Sequence, residues 1–557
     1  MQMERQKTLT ENFLQCPELV RTTMDFMDKK SLSRCALLNK AMSEHALDAI
    51  YAHRHSFVRL LELLCPIERD ATTGIRKFTR PIKGSDWDRF RHYSKRIHSL
   101  RVSNSGNDGR RFSPDSLIDL FSSMPPGHQF LPHLRKIEWH NLHPVTIHFL
   151  LMLSHDKIHD LFFSIASRDL QNGILFERLS KKLPNLRSLR LGLTTGMTER
   201  STDQARKTLS EAIHDLPLLR WLVLPSELLS QPLLYNLSQL KHLQRLWATQ
   251  FGPRSMTSTP RAEADATSRF PVLFEVAVST AHLLSKWDYL LSGRRLVSLY
   301  IEVSDMRHLS VAPGLISSLS PTLRHLIVVP QGLSQTSVTS APLTIAMLAP
   351  FLKLQLLETL VIDLPDPPRL NDKDLQSVAT SFPEIQHLEI CVRARGEPSQ
   401  VSPTLGCLLP FAKHCRKLHS LGLYINASVV PSAFPHSQTV FSPNLQELHV
   451  FCSKIGEIHV VLDFLLLILP SHASIVQGTY STQLQHMVGE TMLHFPRGER
   501  NEELDEESIE YKFAWRTVGR YLEKMLRARK TLEIQRAEIS RLQVGRMQSC
   551  IVGGIEQ

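Results

Sequence analysis

The side chains best placed for metal chemistry are Cys407, His414 and Cys415, and the two cysteines are eight residues apart. A structural zinc site normally uses two closely spaced ligand pairs, and no second pair follows here. Buried sulfur in a helix explains these two thiols better. The chain also contains none of the motifs GxxxxGK[ST], GxSxG, HExxH or GxGxxG. We therefore expect a protein with no catalytic activity, no cofactor and no bound metal.

The composition is that of a folded, soluble protein. The chain has 557 residues, of which 42% are hydrophobic and 21% are charged, and its formal net charge is +11. The basic residues are spread along the chain instead of forming one block. The charge therefore favours an acidic partner only weakly.

Several features indicate the cellular compartment. The eight cysteines form no CxxC pair, which favours a reducing environment over a disulfide framework. The polar N-terminal stretch lacks the apolar core of a signal peptide. The longest apolar run, 460–469, is too short to cross a bilayer. We expect a cytoplasmic or nuclear protein, or one present in both compartments, with no membrane partner.

A short apolar phrase recurs along most of the chain. In the stretch 183–193, the residues Leu186, Leu189 and Leu191 give the pattern Leu-x-x-Leu-x-Leu. Thirteen copies occur at intervals of 23 to 37 residues, with other apolar residues replacing some leucines. The copies begin at Ile97, Leu134, Ile158, Leu186, Leu219, Leu243, Leu273, Leu296, Leu323, Leu357, Ile385, Leu418 and Leu445.

Each copy predicts a short strand. Its last two apolar residues are separated by one residue, so they share one face of the strand. One short strand cannot bury that face alone, whereas stacked copies form a parallel sheet with a continuous apolar core. The segments between copies are long enough for a return on the other side. Helical patterns occupy 208–216, 226–240, 374–382, 405–413 and 460–469.

The copies resemble the leucine-rich repeat over residues 95–453. The family places Asn or Cys three residues after the last leucine, where the side chain satisfies the backbone of a turn. Asn426 fits this position, and hydroxyl side chains take its place at Ser105, Thr194, Ser304 and Ser453. The resemblance implies an α/β fold. Its form would be an irregular horseshoe, with a parallel sheet on the concave face and helices or irregular returns on the convex face.

The residue between the two buried ones points to the opposite face of its strand. In a horseshoe this is the concave face, which we expect to bind a protein substrate. The residues predicted there mix apolar, aromatic and charged groups, and they are Arg190, Val223, Trp247, Tyr300, Ile327, Glu389 and His449.

Residues 13–55 predict three short helices ahead of the repeats. Pro17 suits the first turn of a helix, and Val20 and Met24 continue its apolar stripe. Ser31 is a suitable N-cap for a second helix, and a third apolar run reaches Ile50. Three short helices bury little area, so this unit should lean on a partner or on the next domain.

This segment resembles the F-box, as it occurs in fungal F-box proteins with leucine-rich repeats. Where the family opens with Leu-Pro-x-Glu-Leu or Leu-Pro-x-Glu-Ile, this chain has Cys16-Pro17-Glu18-Leu19. In a second stretch of the family pattern, the first Leu, the second Cys and the Trp are replaced. The residues that match that stretch are Leu32, Cys35, Leu38, Asn39 and Met42.

The resemblance implies binding to a Skp-type adaptor, and through it to a cullin, within a ubiquitin ligase. In such ligases the repeats hold the protein substrate. An apolar patch on a small helical unit would be covered only when the adaptor docks. The residues carried over for adaptor contact are Pro17, Leu19, Val20, Leu32, Leu38 and Met42. Alternatively, the three helices only cap the first repeat.

The predicted organisation runs from a disordered tail (1–12) through the F-box (13–55) and connecting helices with a loop (56–94) to the repeats (95–453). A helical cap region (454–493), an acidic linker (494–507), a long helix (508–543) and a second disordered tail (544–557) follow. The apolar residues of the long helix lie roughly on one side, so it could cap the last repeat. Two long loops are expected at 252–268 and 395–402.

The leading prediction is a monomeric, non-catalytic substrate-recognition subunit of a ubiquitin ligase. The alternative is a leucine-rich-repeat scaffold for protein–protein interaction with no role in ubiquitin transfer. A third class, an array that binds RNA or DNA, would account for the net charge. The sequence lacks the basic stripe with aromatic residues that such an array requires.

Overall fold

The computed structural model divides the chain into two compact units, 1–246 with 251–262 and 247–250 with 263–557. The structure describes residues 16–54, 57–102, 112–142, 144–170, 174–194, 199–249, 270–279, 296–303, 322–330, 342–364, 366–392, 394, 402–431, 440–450, 452–476 and 506–553. The predicted tail 1–12 and loop 252–268 lie outside these ranges. Nearly all of the predicted loop 395–402 and acidic linker 494–507 lie outside them too.

The first unit opens with three helices, α1 (Pro17–Asp25), α2 (Lys29–Cys35) and α3 (Lys40–Ala52). The N-cap of α2 is Asp28 and not the predicted Ser31, since the Asp28 carboxylate accepts a hydrogen bond from the backbone N–H of Ser31 at 2.9 Å. Asn39 caps α3 in the same way through the N–H of Met42. A small shared core of Val20, Met24, Leu32 and Ala46 holds the three helices together.

From Ser99 onward, the first unit alternates strands and helices, as the phrase predicts. Its elements are β1 (His53–Arg54), α4 (Phe57–Leu61), β2 (Ile67–Arg69), β3 (Arg76–Phe78), α5 (Gly84–Ser94), β4 (Ser99–Val102), α6 (Pro114–Ser123), β5 (Lys136–Leu142), α7 (Pro144–Leu153), β6 (Asp160–Ile165), α8 (Ile174–Lys182), β7 (Ser188–Leu193), α9 (Glu199–His214), β8 (Trp221–Pro225), α10 (Gln231–Ser238) and β9 (Arg245–Thr249), at which the two units divide. Short 3-10 helices span Ser167–Leu170 and Ser226–Leu228.

The second unit continues with parallel strands. Its elements are β10 (Glu275–Ser279), β11 (Ser298–Val303), β12 (His325–Pro330), α11 (Ile345–Leu348), β13 (Thr359–Ile362), α12 (Asp372–Ser381), β14 (His387–Ile390), α13 (Leu408–His414), β15 (Ser420–Leu423), β16 (Glu447–His449), α14 (Ile458–Ile468), β17 (Ser474–Val476) and α15 (Glu506–Gly553). Its 3-10 helices span Phe351–Lys353 and Leu405–Cys407.

The strands confirm the predicted parallel sheet within each unit. Strand β1 pairs with β4 in parallel, and β4 to β8 then pair in sequence order. Strands β10 to β17 do the same in the second unit. Equivalent positions of the phrase lie side by side, so that Leu189 is opposite Leu161 and Leu222. These leucines are buried, because each forms part of one continuous apolar face.

Turn residues at the ends of the strands also act as the resemblance implies. The Asn426 side chain accepts a hydrogen bond from the N–H of Ser428 at 3.2 Å. The Ser453 hydroxyl accepts one from the N–H of Ile425 at 3.0 Å and donates to the carbonyl of Leu423 at 3.4 Å. A hydroxyl therefore replaces the asparagine by linking the turns of two neighbouring repeats.

The helix α15 packs against α14 and β17 and covers the last strand of the second unit. Its buried residues are Trp515, Val518, Leu522 and Leu526. The helix continues to Gly553, beyond the predicted limit of 543 and into the predicted tail. The prediction put Phe513 on the buried side, and the structure exposes it. The Trp515 indole N–H donates to the Ser453 carbonyl at 2.8 Å, and further along the helix Arg529 donates to the carbonyl of Leu466 on α14 at 2.8 Å.

Among the helices that the structure describes, none is long and apolar enough to cross a membrane.

Candidate functional site

Large apolar side chains are exposed on the N-terminal helices and their turns. The exposed fractions are 52% for Leu19, 87% for Phe26, 36% for Met27, 87% for Leu37 and 68% for Leu38. We call these five residues the N-terminal apolar patch. Apart from Leu19, they lie in the two turns that join the three helices. Soluble proteins seldom leave such a concentration of large apolar groups open without a partner.

The two turns are well defined by backbone hydrogen bonds. The N–H of Phe26 donates to the carbonyl of Thr23, and the N–H of Leu38 donates to the carbonyl of Cys35. The Cys35 Sγ lies 4.0 Å from the Met27 Sδ, which places the two turns beside each other. Because the backbone is satisfied locally, the apolar side chains point outward from ordered turns.

The predicted adaptor contacts divide into two groups. Pro17, Leu19 and Leu38 are exposed. Val20 and Leu32 lie in the core of the three helices, where their side chains hold the helices together. Met42 is half-buried and packs against the same core.

Sequence reasoning missed Phe26 and Leu37, the two most exposed members of the patch. Both follow the last residue of a helix and so fall outside the helical stripe on which the prediction depended. A large apolar residue in a turn between two helices was the available signal, because turns are normally polar.

The N-terminal helices are joined to the sheet of the first unit at three places. Strand β1 follows α3 directly and pairs with β4. Arg96, just ahead of β4, donates hydrogen bonds to the carboxylates of Glu44 and Asp48 on α3 and to the Glu44 carbonyl. The rings of Tyr51 and Tyr93 stack at 4.7 Å. The helical unit that carries the patch is therefore joined to the repeats through α3.

The predicted substrate-binding residues lie on the expected face of the sheet, but almost all of them are buried. In the first unit, Arg190 and Val223 stand opposite each other on β7 and β8. Arg190 forms ion pairs with Asp160 at 3.1 Å and with Glu138 at 3.6 Å, and its guanidinium lies over the rings of Phe162 and Trp221. The Arg190 side chain is therefore buried by these neighbouring residues and has a structural role.

Glu138 is the centre of this charged network. It is buried and forms ion pairs with Arg101, Lys136 and Arg190. Burial alone would raise the pKa of Glu138, but hydrogen bonds from Arg101 and Lys136 outweigh it and lower the pKa to about 2. The carboxylate is therefore charged at neutral pH and holds three cations on the sheet.

The second unit shows the same covering. The Trp247 indole N–H donates to the Glu275 carboxylate at 2.9 Å. Ile327 packs with Val329 and Val361, and the half-buried Tyr300 leans on them. Trp247, Ile327, Glu389 and His449, which were predicted to contact a substrate, are buried. Neighbouring strands are about 4.8 Å apart, so large side chains on adjacent strands cover one another.

Gly422 shows how tightly this row is packed. It lies between Glu389 and His449 in the register of β14, β15 and β16. A Cβ atom at position 422 would come within 2.5 Å of a Val392 methyl carbon and 2.9 Å of Glu389 Cγ. The absence of a side chain at Gly422 thus makes room for the larger groups beside it.

Cys407 and Cys415 are both buried, one directly before and one directly after the return helix α13. The Cys415 thiol donates to the carbonyl of Ala379 at 3.4 Å, and burial raises its pKa to about 12. Within the described ranges, no group of three or more His, Cys, Asp or Glu side chains is arranged to hold a metal ion.

No protein-family model matches the chain, and no curated protein matches it in sequence. Among solved structures, it is similar to the leucine-rich repeat-containing protein LegL7 from Legionella pneumophila. That match has 12% identity and a TM-score of 0.29, and it covers 52% of this chain and 88% of the other. A structure of a TLR13–ssRNA13 complex matches with 13% identity and a TM-score of 0.22, covering 64% of this chain and 62% of the other.

The fold is of the leucine-rich-repeat type. Successive parallel strands each carry one copy of the apolar phrase in matching register, and helices or irregular segments return between them. An array of this kind presents a large surface for protein–protein interaction.

Proposed function

We propose that this chain is the substrate-recognition subunit of a Skp-cullin-F-box ubiquitin ligase. Its N-terminal helices bind a Skp-type adaptor, which links it to a cullin, and its repeats bind a protein substrate. The observation that carries the proposal is the N-terminal apolar patch. It lies on a small helical unit directly ahead of a repeat array, in the order that the F-box resemblance implies.

The patch has the physical properties of a docking surface. Burying a large apolar side chain at an interface removes it from water, at about 25 cal/mol for each Å² of apolar area. Phe26 and Leu37 each leave 87% of their surface open, so nearly all of that gain is still available. The helices need no help from these residues to fold, because their core is formed by others.

A pull-down with a Skp-type adaptor tests the proposal. The full-length chain is compared with a Phe26→Asp/Leu37→Asp double variant, which places two charges on the patch without touching the helical core. We expect capture to weaken by at least about thirtyfold, since a buried interface anchor is worth roughly 2 kcal/mol or more. Leu32→Asp is unsuitable for this test, because Leu32 is a core residue.

The matched control is Ile118→Asp/Leu356→Asp, which changes two other exposed apolar residues, one in each unit. It should be captured like the unchanged chain, and circular dichroism should show all variants folded. Equal capture of the patch variant and the control would overturn the assignment of the patch. No capture of the unchanged chain at micromolar concentration would overturn the ligase function.

A second candidate is a repeat scaffold with no role in ubiquitin transfer. It is favoured by the way α3 runs into β1 and by the Arg96 hydrogen bonds, since both features let the helices cap the first repeat. In that case the helices stabilise the array, and the patch variant changes neither adaptor capture nor ligase assembly. The chain is proposed to be a monomer on its own in either case, which light scattering can measure.

A further inference from the structure

Basic side chains stack at one repeated position in the first unit. In each repeat, this position directly precedes the first residue of the strand that pairs in the sheet. Its backbone forms a ladder in which the N–H of each residue donates to the carbonyl of the equivalent residue on the preceding strand, at 2.7–2.9 Å, from Ala52 to Gln244. Between these two ends every residue of the ladder is basic, and we call these residues the basic row: His98, Arg135, His159, Arg187 and Arg220.

The row concentrates positive charge that is not neutralised. Neighbouring members are one strand apart, about 4.8 Å along the backbone. Arg135, Arg187 and Arg220 are exposed, and among the described residues none of their guanidinium groups forms an ion pair. Arg187 and Arg220 are on adjacent strands, where like charges repel each other, so this pair is unfavourable unless a ligand offsets it.

Nearby carboxylates do not compensate the row. Glu138 and Asp160, which lie on adjoining strand positions, are already paired with Lys136 and Arg190. Arg101 is a third cation in this network, because it forms an ion pair with Glu138. The local balance is therefore three cations to two anions before the row itself is counted.

The row is a property of the first unit and not of the repeat. In the second unit the same backbone ladder is occupied mainly by apolar and neutral side chains, and its one arginine, Arg324, is paired with Glu358. The ladder there runs through Phe274, Val297, Arg324, Glu358, Gln386, His419 and Gln446.

We infer that the basic row binds an extended, acidic segment of a protein substrate. This inference rests on the proposed function, which it deepens by naming the class of substrate. Guanidinium groups pair with carboxylates through two parallel hydrogen bonds. In an extended peptide, every second side chain lies on the same side, at about 6.6 Å, so a segment of roughly five residues spans Arg135 to Arg220.

The aromatic residues beside the row favour a peptide over a nucleic acid. Single-stranded nucleic acids bind by stacking their bases on open aromatic rings. Here the Trp221 ring is already in contact with the guanidiniums of Arg190, at 5.1 Å, and Arg245, at 5.5 Å. Phe162 is buried under Arg190. The surface beside the row thus offers charge without a free stacking platform in the described part of the unit.

The test measures fluorescence anisotropy of a labelled deca-glutamate peptide with the full-length chain. The comparison probes are a labelled deca-serine peptide and a labelled ten-nucleotide single-stranded RNA. We expect binding of deca-glutamate that weakens as salt increases, with at least tenfold weaker binding of the other two probes. Stronger binding of the RNA than of deca-glutamate would overturn the peptide assignment.

Charge reversal locates the site. Arg135→Glu/Arg187→Glu/Arg220→Glu should weaken deca-glutamate binding at least tenfold, and the corresponding Gln variant should show an intermediate loss. The matched control, Arg89→Glu/Arg178→Glu/Lys207→Glu, makes the same change in net charge on exposed helical positions of the same unit and should stay within twofold of the unchanged chain. Equal losses in the row variant and the control would overturn the inference.

Adaptor capture separates this inference from the proposed function. The row variant should be captured by the Skp-type adaptor like the unchanged chain, because the N-terminal apolar patch is unaltered. The Phe26→Asp/Leu37→Asp variant should still bind deca-glutamate. If the unchanged chain binds deca-glutamate but is not captured by the adaptor, the ligase role is overturned and the acidic-segment site is supported. If it is captured by the adaptor but does not bind deca-glutamate, the acidic-segment site is overturned and the ligase role is supported.

Discussion

The guanidinium of Arg96 is buried beside the first repeat strand, and it donates a hydrogen bond to the carboxylate of Asp48 on α3. The same guanidinium reaches Glu44 one turn earlier. One side chain thus connects the helical unit that carries the N-terminal apolar patch to the sheet of the first unit. The patch, on α1 and the two turns, is connected to the repeats through α3.

Arg96→Met should loosen the three N-terminal helices. The variant keeps much of the buried apolar part of the side chain and removes the charged hydrogen bonds. The carboxylates of Glu44 and Asp48 are partly exposed, so neither is left as an unpaired buried charge. We expect α1–α3 to lose about 1–2 kcal/mol of local stability, or about tenfold in hydrogen-exchange protection. Arg91→Met, which removes an exposed pair with Asp88, should change protection by less than twofold.

Glu138→Gln should destabilise the sheet of the first unit in a pH-dependent way. The pKa of Glu138 lies at about 2 in the folded protein, below its ordinary value of 4.5, so its stabilising effect is complete above pH 4.5 and disappears as the pH falls towards 2. We expect a loss of about 2–3 kcal/mol at pH 7, measured by denaturant unfolding.

The difference between Glu138→Gln and the unchanged chain should shrink steadily below pH 4.5. Glu68→Gln removes a carboxylate from an exposed pair with Lys77 and should cost less than about 0.5 kcal/mol at every pH. A loss that is the same at pH 3 and pH 7 would contradict the role of the Glu138 charge.

His387 should make the second unit sensitive to mild acid. Burial lowers the pKa of His387 to about 4, and the neighbouring charge of His419 acts in the same direction. The unfolded chain therefore binds a proton more readily, and stability falls as the pH drops from 6.5 towards 4. At pH 5 this contribution is about 2 kcal/mol, so His387→Gln should flatten the dependence measured by hydrogen exchange in β14.

The control for this prediction is His459→Gln, since His459 is largely exposed. It should leave the pH dependence unchanged. Groups that face His387 include His325, His419 and Glu447, and the Glu447 charge opposes the shift. If the stability of His387→Gln changes between pH 7 and pH 5 as much as that of the unchanged chain, other groups cause the acid sensitivity.

Gly422→Val should be destabilising although it adds apolar area. Its Cβ would meet Val392 and Glu389 closer than van der Waals distance, and overpacking of this kind costs about 1–3 kcal/mol. Denaturant unfolding measures the loss. Gly84→Ala is the matched control, because nothing lies within 4 Å of a Cβ at that position, and it should be neutral within about 0.5 kcal/mol.

Trp515→Ala should weaken the packing of α15 on the second unit. The Trp515 ring is buried and its N–H donates to the Ser453 carbonyl at 2.8 Å, so truncation costs about 3–5 kcal/mol. Trp515→Phe, which keeps most of the packing, should lose about 1 kcal/mol. Limited proteolysis of α15 provides the measurement, and Phe513→Ala, at an exposed site two residues away, should be cleaved no faster than the unchanged chain.

The fold follows from the sequence because the apolar phrase repeats in the same register as the strands it forms. Alternation places Leu189 and Leu191 on one face of their strand, and the equivalent residues of neighbouring strands bury that face. Alternation also put Arg190 on the correct face, but it does not decide exposure. Exposure depends on what stands on the neighbouring strands, and Phe162, Glu138 and Trp221 are distant in the sequence.

The sites were harder to predict for the same reason. Leu19 and Leu38 could be identified from a family pattern, whereas Phe26 and Leu37 belong to turns that no helical period marks. The basic row does not stand out as a basic block, since consecutive members are separated by whole repeats, although each follows the first apolar residue of its copy of the phrase. Only the stacking of strands brings Arg187 and Arg220 next to each other.

The shortness of β1 has a consequence for solubility. The outer strand of a sheet exposes unpaired amides and carbonyls on which a strand of another molecule can grow, and this growth leads to fibres. Strand β1 has only two residues and is the outer strand of the sheet in the first unit, so the template that it offers is too short for such growth. The cover that α15 places on β17 protects the outer strand of the second unit against the same kind of polymerisation.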